Sequence, residues 1–154
     1  MNKERERLLD TNICVNYLNA LRKTRAKRTM EQQRIFENIE KTRQQNTMLY
    51  ISQATVAELR FGAAKSQNKE KNLGRIETFK EAVPELKIDD EVWKAFVDMK
   101  AELSRHGRSM QDMDLLIAAT AKRYGLTLTS NDKDMNNLDV LIENSVDRES
   151  WAVA

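Results

Sequence analysis

Short apolar runs alternate along this chain with segments whose apolar residues recur at helical spacing, and that alternation leaves few folds open. Leu8-Leu9 forms a strand ending at Asp10, and Ile13, Tyr17, Leu18 and Leu21 then mark a helix. Met30, Ile35, Phe36 and Ile39 place an amphipathic helix over 29–44, ahead of a second strand from Met48 to Ser52. A third helix runs from Thr55 to Ala64, and polar residues 66–71 turn the chain into a helix carrying Leu73, Ile76, Phe79 and Val83 up to Pro84. Leu86 to Ile88 is a further short strand. Asp89 or Asp90 caps the next helix, which carries Val92, Trp93, Phe96, Met99 and Leu103 and stops at His106-Gly107. Asp114 to Tyr124 is an apolar helix closed by Gly125, Leu126 to Ser130 a strand, and Val140 to Ile142 a last strand. Strands alternating with helices predict an α/β fold with a central, mostly parallel sheet flanked by helices on both faces.

At 154 residues the chain is expected to form a single domain, 1–154, with a hydrophobic content of 40% sufficient for a core. One cysteine, Cys14, and one histidine, His106, exclude an internal disulfide and a zinc site of the usual spacing, and fit a reducing compartment. Cys14 reads as a packed small hydrophobe and His106 as a helix-end residue. Trp93, Phe96 and Met99 share a helix face and read as core. No apolar stretch is long enough to span a membrane, and Met1 to Arg7 is polar rather than a signal core, so the expected location is cytoplasmic.

Net charge is only +2, but Arg22, Lys23, Arg25, Lys27, Arg28 and Arg34 face the single acid Glu31 within one helical, basic segment near 22–45. Such a cluster suits a phosphate backbone, although basic runs are also common on solvated helix faces.

Four acids stand at strand ends or in first turns of helices: Asp10, Glu58, Asp114 and Asp132. Each has an ordinary structural explanation. Asp10 and Asp132 suit N-caps or turns after strands. Glu58 completes a Thr55-x-x-Glu58 capping box, and Asp114 favours a helix dipole, with Asp112 competing for that task. Their shared kind of position tilts the balance, because open parallel sheets gather functional residues at the carboxyl ends of their strands. Carboxylates that converge resist ionisation unless a cation compensates them, and oxygen-only ligands select Mg²⁺, Mn²⁺ or Ca²⁺ over zinc.

The wording of four blocks then resembles the PIN-domain ribonucleases, in particular the VapC and FitB type toxins of bacterial type II toxin-antitoxin systems. The blocks are Leu8-Leu9-Asp10-Thr11-Asn12, the run from Ser52 to Ala63, Gly107-Arg108-Ser109 leading to the run from Asp114 to Ala121, and the run from Leu126 to Asp134. They span residues 8–134 in the family's order. The family often has Thr where Ser130 stands and an aromatic where Met135 stands, which loosens the packing expected there. The resemblance implies a PIN-like three-layer fold and a metal-dependent endoribonuclease that cleaves RNA by a metal-activated water, leaving a 5′-phosphate and a 3′-hydroxyl. Asp10, Glu58, Asp114 and Asp132 carry over as the acidic site. Asp10, Asp114 and Asp132 hold Mg²⁺ or Mn²⁺, and Glu58 completes the cage or orients the water. Thr11, Asn12 and Ser130 are supporting residues. Asp112 and Asp134 lie near site positions and read as surface residues with a possible share in the site. RNA guidance falls to Arg22, Lys23, Arg25, Lys27, Arg28, Arg60 and Arg108. A cognate antitoxin protein whose carboxyl-terminal segment blocks the acidic cleft, and a homodimer, are the implied partners; no membrane is. Competing readings are a PIN-domain RNA-processing nuclease that is no toxin, an inactive PIN module that binds RNA or a partner, and a phosphatase with Asp10 as nucleophile. The last lacks the second acid two positions on, where Asn12 stands.

Overall fold

The computed structural model describes residues 5–152. Residues 1–4 and 153–154, which the expected single domain includes, lie outside the described part. Five short strands form one sheet: β1 (Arg7–Leu9), β2 (Leu49–Ser52), β3 (Glu85–Leu86), β4 (Thr127–Thr129) and β5 (Arg148–Glu149). Their order is β3-β2-β1-β4-β5 and every pairing is parallel. Parallel pairing obliges the chain to cross over between strands, and it does so through α1 (Thr11–Leu21), α2 (Met30–Gln44), α3 (Gln53–Ala64), α4 (Lys69–Ala82), α5 (Asp90–Arg105) and α6 (Asp112–Tyr124). The strand order reverses around β1, so the carboxyl ends of β1, β2 and β4 open onto one crevice.

The pleat of β1 divides the core. Leu8 packs with Leu115, Ile117, Leu128, Met99 and Leu103 beneath α5 and α6, whereas Leu9 packs with Ile13, Ile35, Ile39, Ile51 and Phe79 beneath α1, α2 and α4. Adjacent residues of one strand thus face opposite layers, which produces the three-layer fold expected from the alternation of elements. Local signals set the helix ends. Thr29 and Gln32 form a reciprocal capping box at the start of α2, and Gly125 closes α6 at φ +67°. No helix among the described residues is long and apolar enough to cross a membrane.

Several local expectations are corrected. Residues 140–142 are not a strand: Val140 ends a 3₁₀ segment (Lys133–Val140), Leu141 is buried and Ile142 is exposed. The amides of Ile142 and Asn144 donate to the carboxylate of Glu102 at 2.7 and 3.0 Å instead of to a ladder. The last strand is Arg148–Glu149, aligned with Leu128 and Thr129. β3 falls at Glu85–Leu86 rather than reaching Ile88, whose amide donates to the Gln53 side chain. Helix α3 starts at Gln53 under a Ser52 cap, so Thr55 and Glu58 lie inside the helix and form no capping box. Trp93 is 47% exposed with Phe96 set edge-on beside it, because Val92, Met99 and Leu103 take the buried face of α5. Met135 is fully buried, so a thioether fills the place expected to be loosened by the missing aromatic.

Candidate active site

The crevice is built from strand ends. Asp10 follows β1 directly, is 3% exposed, and caps α1 by accepting from the Thr11 amide at 2.7 Å. Its other oxygen accepts from the Ser130 hydroxyl, just beyond β4, at 2.6 Å. That same Ser130 oxygen accepts from the Asp132 amide at 3.0 Å, and Asp132 in turn caps the 3₁₀ segment by accepting from the Asp134 amide. One hydroxyl therefore fixes both Asp10 and the turn that carries the next two acids.

Glu58 projects from α3 toward α1. The Thr11 hydroxyl donates to Glu58 Oε1 at 2.7 Å, and the Thr11 and Thr55 hydroxyl oxygens are 3.1 Å apart. Thr55 is fully buried, and its place in an apparent Thr55-x-x-Glu58 capping box masks this role in the sequence. Behind it, Ser52 and Thr120 share a buried hydrogen bond of 2.9 Å that ties α3 to α6. Helix α6 presents Asp112 and Asp114 in its first turn. Asp112 points away, exposed and paired with Lys100 at 2.9 Å. Asp114 points in: one oxygen each of Asp114, Asp132 and Asp134 lie within 4.8 Å of one another. Asp134, which the sequence left near the surface, therefore joins the cluster. Two acids one residue apart at the start of a tight turn are the sequence signal for it.

Charge accumulates without a protein counterion, since no Lys or Arg among the described residues pairs with Asp10, Glu58, Asp114, Asp132 or Asp134. Burial pushes the Asp10 carboxyl above its ordinary range, with Asp132 and Glu58 adding to the rise against the lowering hydrogen bonds from Ser130 and Thr11. Asp114 is pushed up to about 6 by burial first, then by the charges of Asp10, Asp132, Glu58 and Asp134. Five carboxylates border the crevice, and the three whose oxygens converge fit a hard divalent cation that accepts oxygen ligands. The Oδ1 atom of Asn12 is buried without a hydrogen-bond partner, and nothing else in the structure accounts for it.

The cationic residues expected to guide RNA are not gathered at this crevice by ion pairs. Arg60 pairs with Glu77 at 2.9 Å and Arg108 reaches Asn137 at 3.4 Å. Arg28 donates to the Ala20 carbonyl and to Gln33 and stacks over the Phe36 ring at 4.1 Å. Lys23 reaches Gln32 and Arg25 approaches Glu37, while Arg22 and Lys27 are exposed. A direct link does run from this segment to the site: Asn131 Nδ2 donates to Glu31 in the first turn of α2 at 3.1 Å. Cys14 is buried and His106 caps α5, 4.0 Å from Glu102, as expected of each.

A five-stranded parallel sheet with acids gathered at the reversal of strand order defines a PIN-type nuclease fold. Residues 7–141 match the PIN domain, and the chain belongs to that family. It is similar to Ribonuclease VapC2 of Haemophilus influenzae, at 33% identity over 124 residues that cover 80% of this chain and 84% of that protein. The tRNA(fMet)-specific endonuclease VapC of Shigella flexneri matches with the same identity and coverage. Among solved structures, VapBC2 from Rickettsia felis bound to a DNA fragment from its promoter superposes with a TM-score of 0.76 at 26% identity, over 96% of this chain and 99% of that one.

Proposed function

We propose that this protein is the ribonuclease toxin of a toxin-antitoxin pair, an endonuclease that uses Mg²⁺ or Mn²⁺ to hydrolyse RNA phosphodiester bonds. The observation that carries the reading is the convergence of Asp114, Asp132 and Asp134 beside the buried Asp10, with no Lys or Arg among the described residues paired with them. The VapC relatives, named as ribonucleases, support RNA as the substrate class.

Asp10, Asp114 and Asp132 would hold the cation, with Asp134 in reach of the same place. A bound divalent ion lowers the pKa of a coordinated water and offsets the charge that develops on the phosphate. The chain's own residues do the rest. Ser130 favours the ionised form of Asp10 by donating to it, and the backbone of Asp132 and Asp134 is pinned by the same turn. Thr11, bridging Thr55 and Glu58, keeps the Glu58 carboxylate aimed so that it accepts a hydrogen bond or a proton from the attacking water. Exposed cations of the 22–34 segment, linked to the crevice through Glu31 and Asn131, guide the RNA strand by its phosphates.

The partner is an antitoxin, a reading supported by the VapBC complexes among the structural neighbours. A cavity of about 850 Å³ between α1, α2 and α4 suits a helix of such a partner: Leu18, Leu21 and Phe79 line it and Arg43, Lys71 and Arg75 stand at its walls. The carboxyl-terminal segment of the antitoxin would continue into the acidic cleft, and the toxin would act as a homodimer in the cytoplasm. The test is end mapping. Purified, antitoxin-free protein incubated with tRNA and Mg²⁺ should leave 5′-phosphate and 3′-hydroxyl ends. Cyclic phosphate ends, or cleavage that persists in EDTA, would contradict the reading.

A further inference from the structure

Beside the acid cluster, on the side of β5, lies a second, smaller cavity of about 240 Å³. Its walls include Ser130 and Asp132 from the site itself, Lys133 and Asn136 from the 3₁₀ segment, and Arg148 and Ser150 from β5 and the residue after it. Ser130 is the residue whose hydroxyl holds Asp10, so whatever fills this cavity sits next to whatever occupies the cluster.

Two acceptors in the wall are already engaged, the Asp132 carboxylate in the acid cluster and the Asn131 oxygen by the Trp151 amide, and the other polar atoms left over are mainly donors. Arg148 is locked by Asp139, at 3.1 Å from both Nε and Nη2, and by Asn136 Oδ1 at 3.0 Å, which leaves its Nη1 without a partner among the described residues. Because the Asn136 oxygen accepts from Arg148, its amide nitrogen is the group left without a partner among the described residues. Lys133 is exposed and makes no ion pair among the described residues. The acid Glu149, also in the wall, is neutralised by Arg7 at 2.7 Å. No aromatic ring among the described residues lines the cavity, so they offer no stacking platform for a base. With Asp132 engaged in the cluster and Glu149 paired with Arg7, the remaining donors and the lack of a ring select an acceptor-rich anion, which on an RNA strand is a backbone phosphate.

We propose that this cavity is a subsite for the RNA phosphate neighbouring the scissile one, with Lys133 as its principal contact and Arg148 and Asn136 framing it. The assignment rests on the ribonuclease reading and deepens it: the strand is registered on the cluster by a second phosphate held on the β5 side. Lys133 contacts substrate and makes no ion pair with an acid of the cluster among the described residues.

The test is equilibrium binding of a fluorescein-labelled single-stranded RNA octamer to the Asp114→Asn protein over a range of KCl concentrations. Each phosphate contact on a single strand contributes about 0.7 to the slope of log K against log salt, which at 0.1 M is roughly fivefold in affinity. Adding Lys133→Ala should flatten the slope by about 0.7 and weaken binding roughly fivefold at 0.1 M KCl. Lys133→Arg should restore both, and Lys94→Ala, an exposed lysine outside the cavity, should change neither slope nor affinity. An unchanged slope in Lys133→Ala, an equal loss in Lys94→Ala, or no binding by the parent protein would overturn the subsite. Cleavage by the unsubstituted protein is assayed in parallel. Cleavage with unaltered binding in Lys133→Ala removes the subsite alone, and binding without cleavage removes the nuclease reading alone.

Discussion

The hydroxyl of Ser130 donates to Oδ2 of Asp10 at 2.6 Å, joining the ends of two adjacent parallel strands, β1 and β4. Both residues are buried, at 3% exposure each, so this bond decides how readily Asp10 carries its charge. Removing it with Ser130→Ala takes away a donor worth about 1.5–3 kcal/mol to a charged group. Asp10, already raised by burial, then rises further. The acidic limb of the kcat/KM profile should move to higher pH and activity near neutrality should fall roughly 10- to 100-fold. Ser130→Thr keeps the hydroxyl and should keep the wild-type profile.

Thr11 acts on Glu58 in the same manner, through a 2.7 Å bond, with Thr55 behind it. Thr11→Val should lower kcat about tenfold, a loss of the order of one hydrogen bond to a charged group, while Mg²⁺ affinity measured by calorimetry changes little. Thr11→Ser should recover most of the rate. Equal losses in both variants would assign Thr11 to packing instead.

The strand ends that carry Asp10 and Ser130 were legible in the sequence because Leu8-Leu9 and Leu126 to Ser130 are apolar runs broken by polar residues. What was not legible depends on tertiary partners. Val140 to Ile142 has strand composition, yet the Ile142 amide is claimed by Glu102 and the Leu141 amide by the Leu138 carbonyl, whereas Arg148–Glu149 has little strand propensity and is ordered by pairing with Leu128 and Thr129. Glu58 looked like half of a capping box, and only the position of Ser52 at the start of α3 frees it for Thr11. Asp134 reads as a surface acid until the 3₁₀ turn brings its oxygen beside those of Asp114 and Asp132.

Asp114 supplies a pH signature for the metal-free protein. Its carboxyl is raised from 3.8 to about 6, so the folded state binds its proton more tightly than the unfolded chain does. Its contribution to stability is present below the unfolded value and is lost as pH rises through about 6. Because the group is partly open to solvent, the penalty at neutral pH is discounted to about 1 kcal/mol. Asp114→Asn should therefore raise the thermal midpoint of the metal-free protein by a few degrees at pH 7.5, with the gain vanishing by about pH 4. Millimolar Mg²⁺ should stabilise the wild type at pH 7.5 and leave Asp114→Asn unaffected. Calorimetry at the two pH values checks both statements.

Glu102 behaves in the opposite sense. Its carboxylate accepts from the amides of Ile142 and Asn144 and from the Asn144 side chain, which hold its pKa down to about 2 against an ordinary 4.5. The stability it contributes is complete above pH 4.5 and lost as pH falls toward 2. Glu102→Ala releases the loop leading to β5 and should lower the thermal midpoint by roughly 5 °C or more at pH 7, with a smaller difference at pH 3.

The central claim is that the carboxylates around Asp114 work through a divalent cation to cut RNA. The most direct measurement compares RNA cleavage by purified wild-type and Asp114→Asn protein, in Mg²⁺ and in EDTA, alongside circular dichroism of both. The account predicts Mg²⁺-dependent cleavage by the wild type, abolished by EDTA, and a loss of about a thousandfold in Asp114→Asn with an unchanged spectrum. Cleavage by a folded Asp114→Asn protein at the wild-type rate would contradict it.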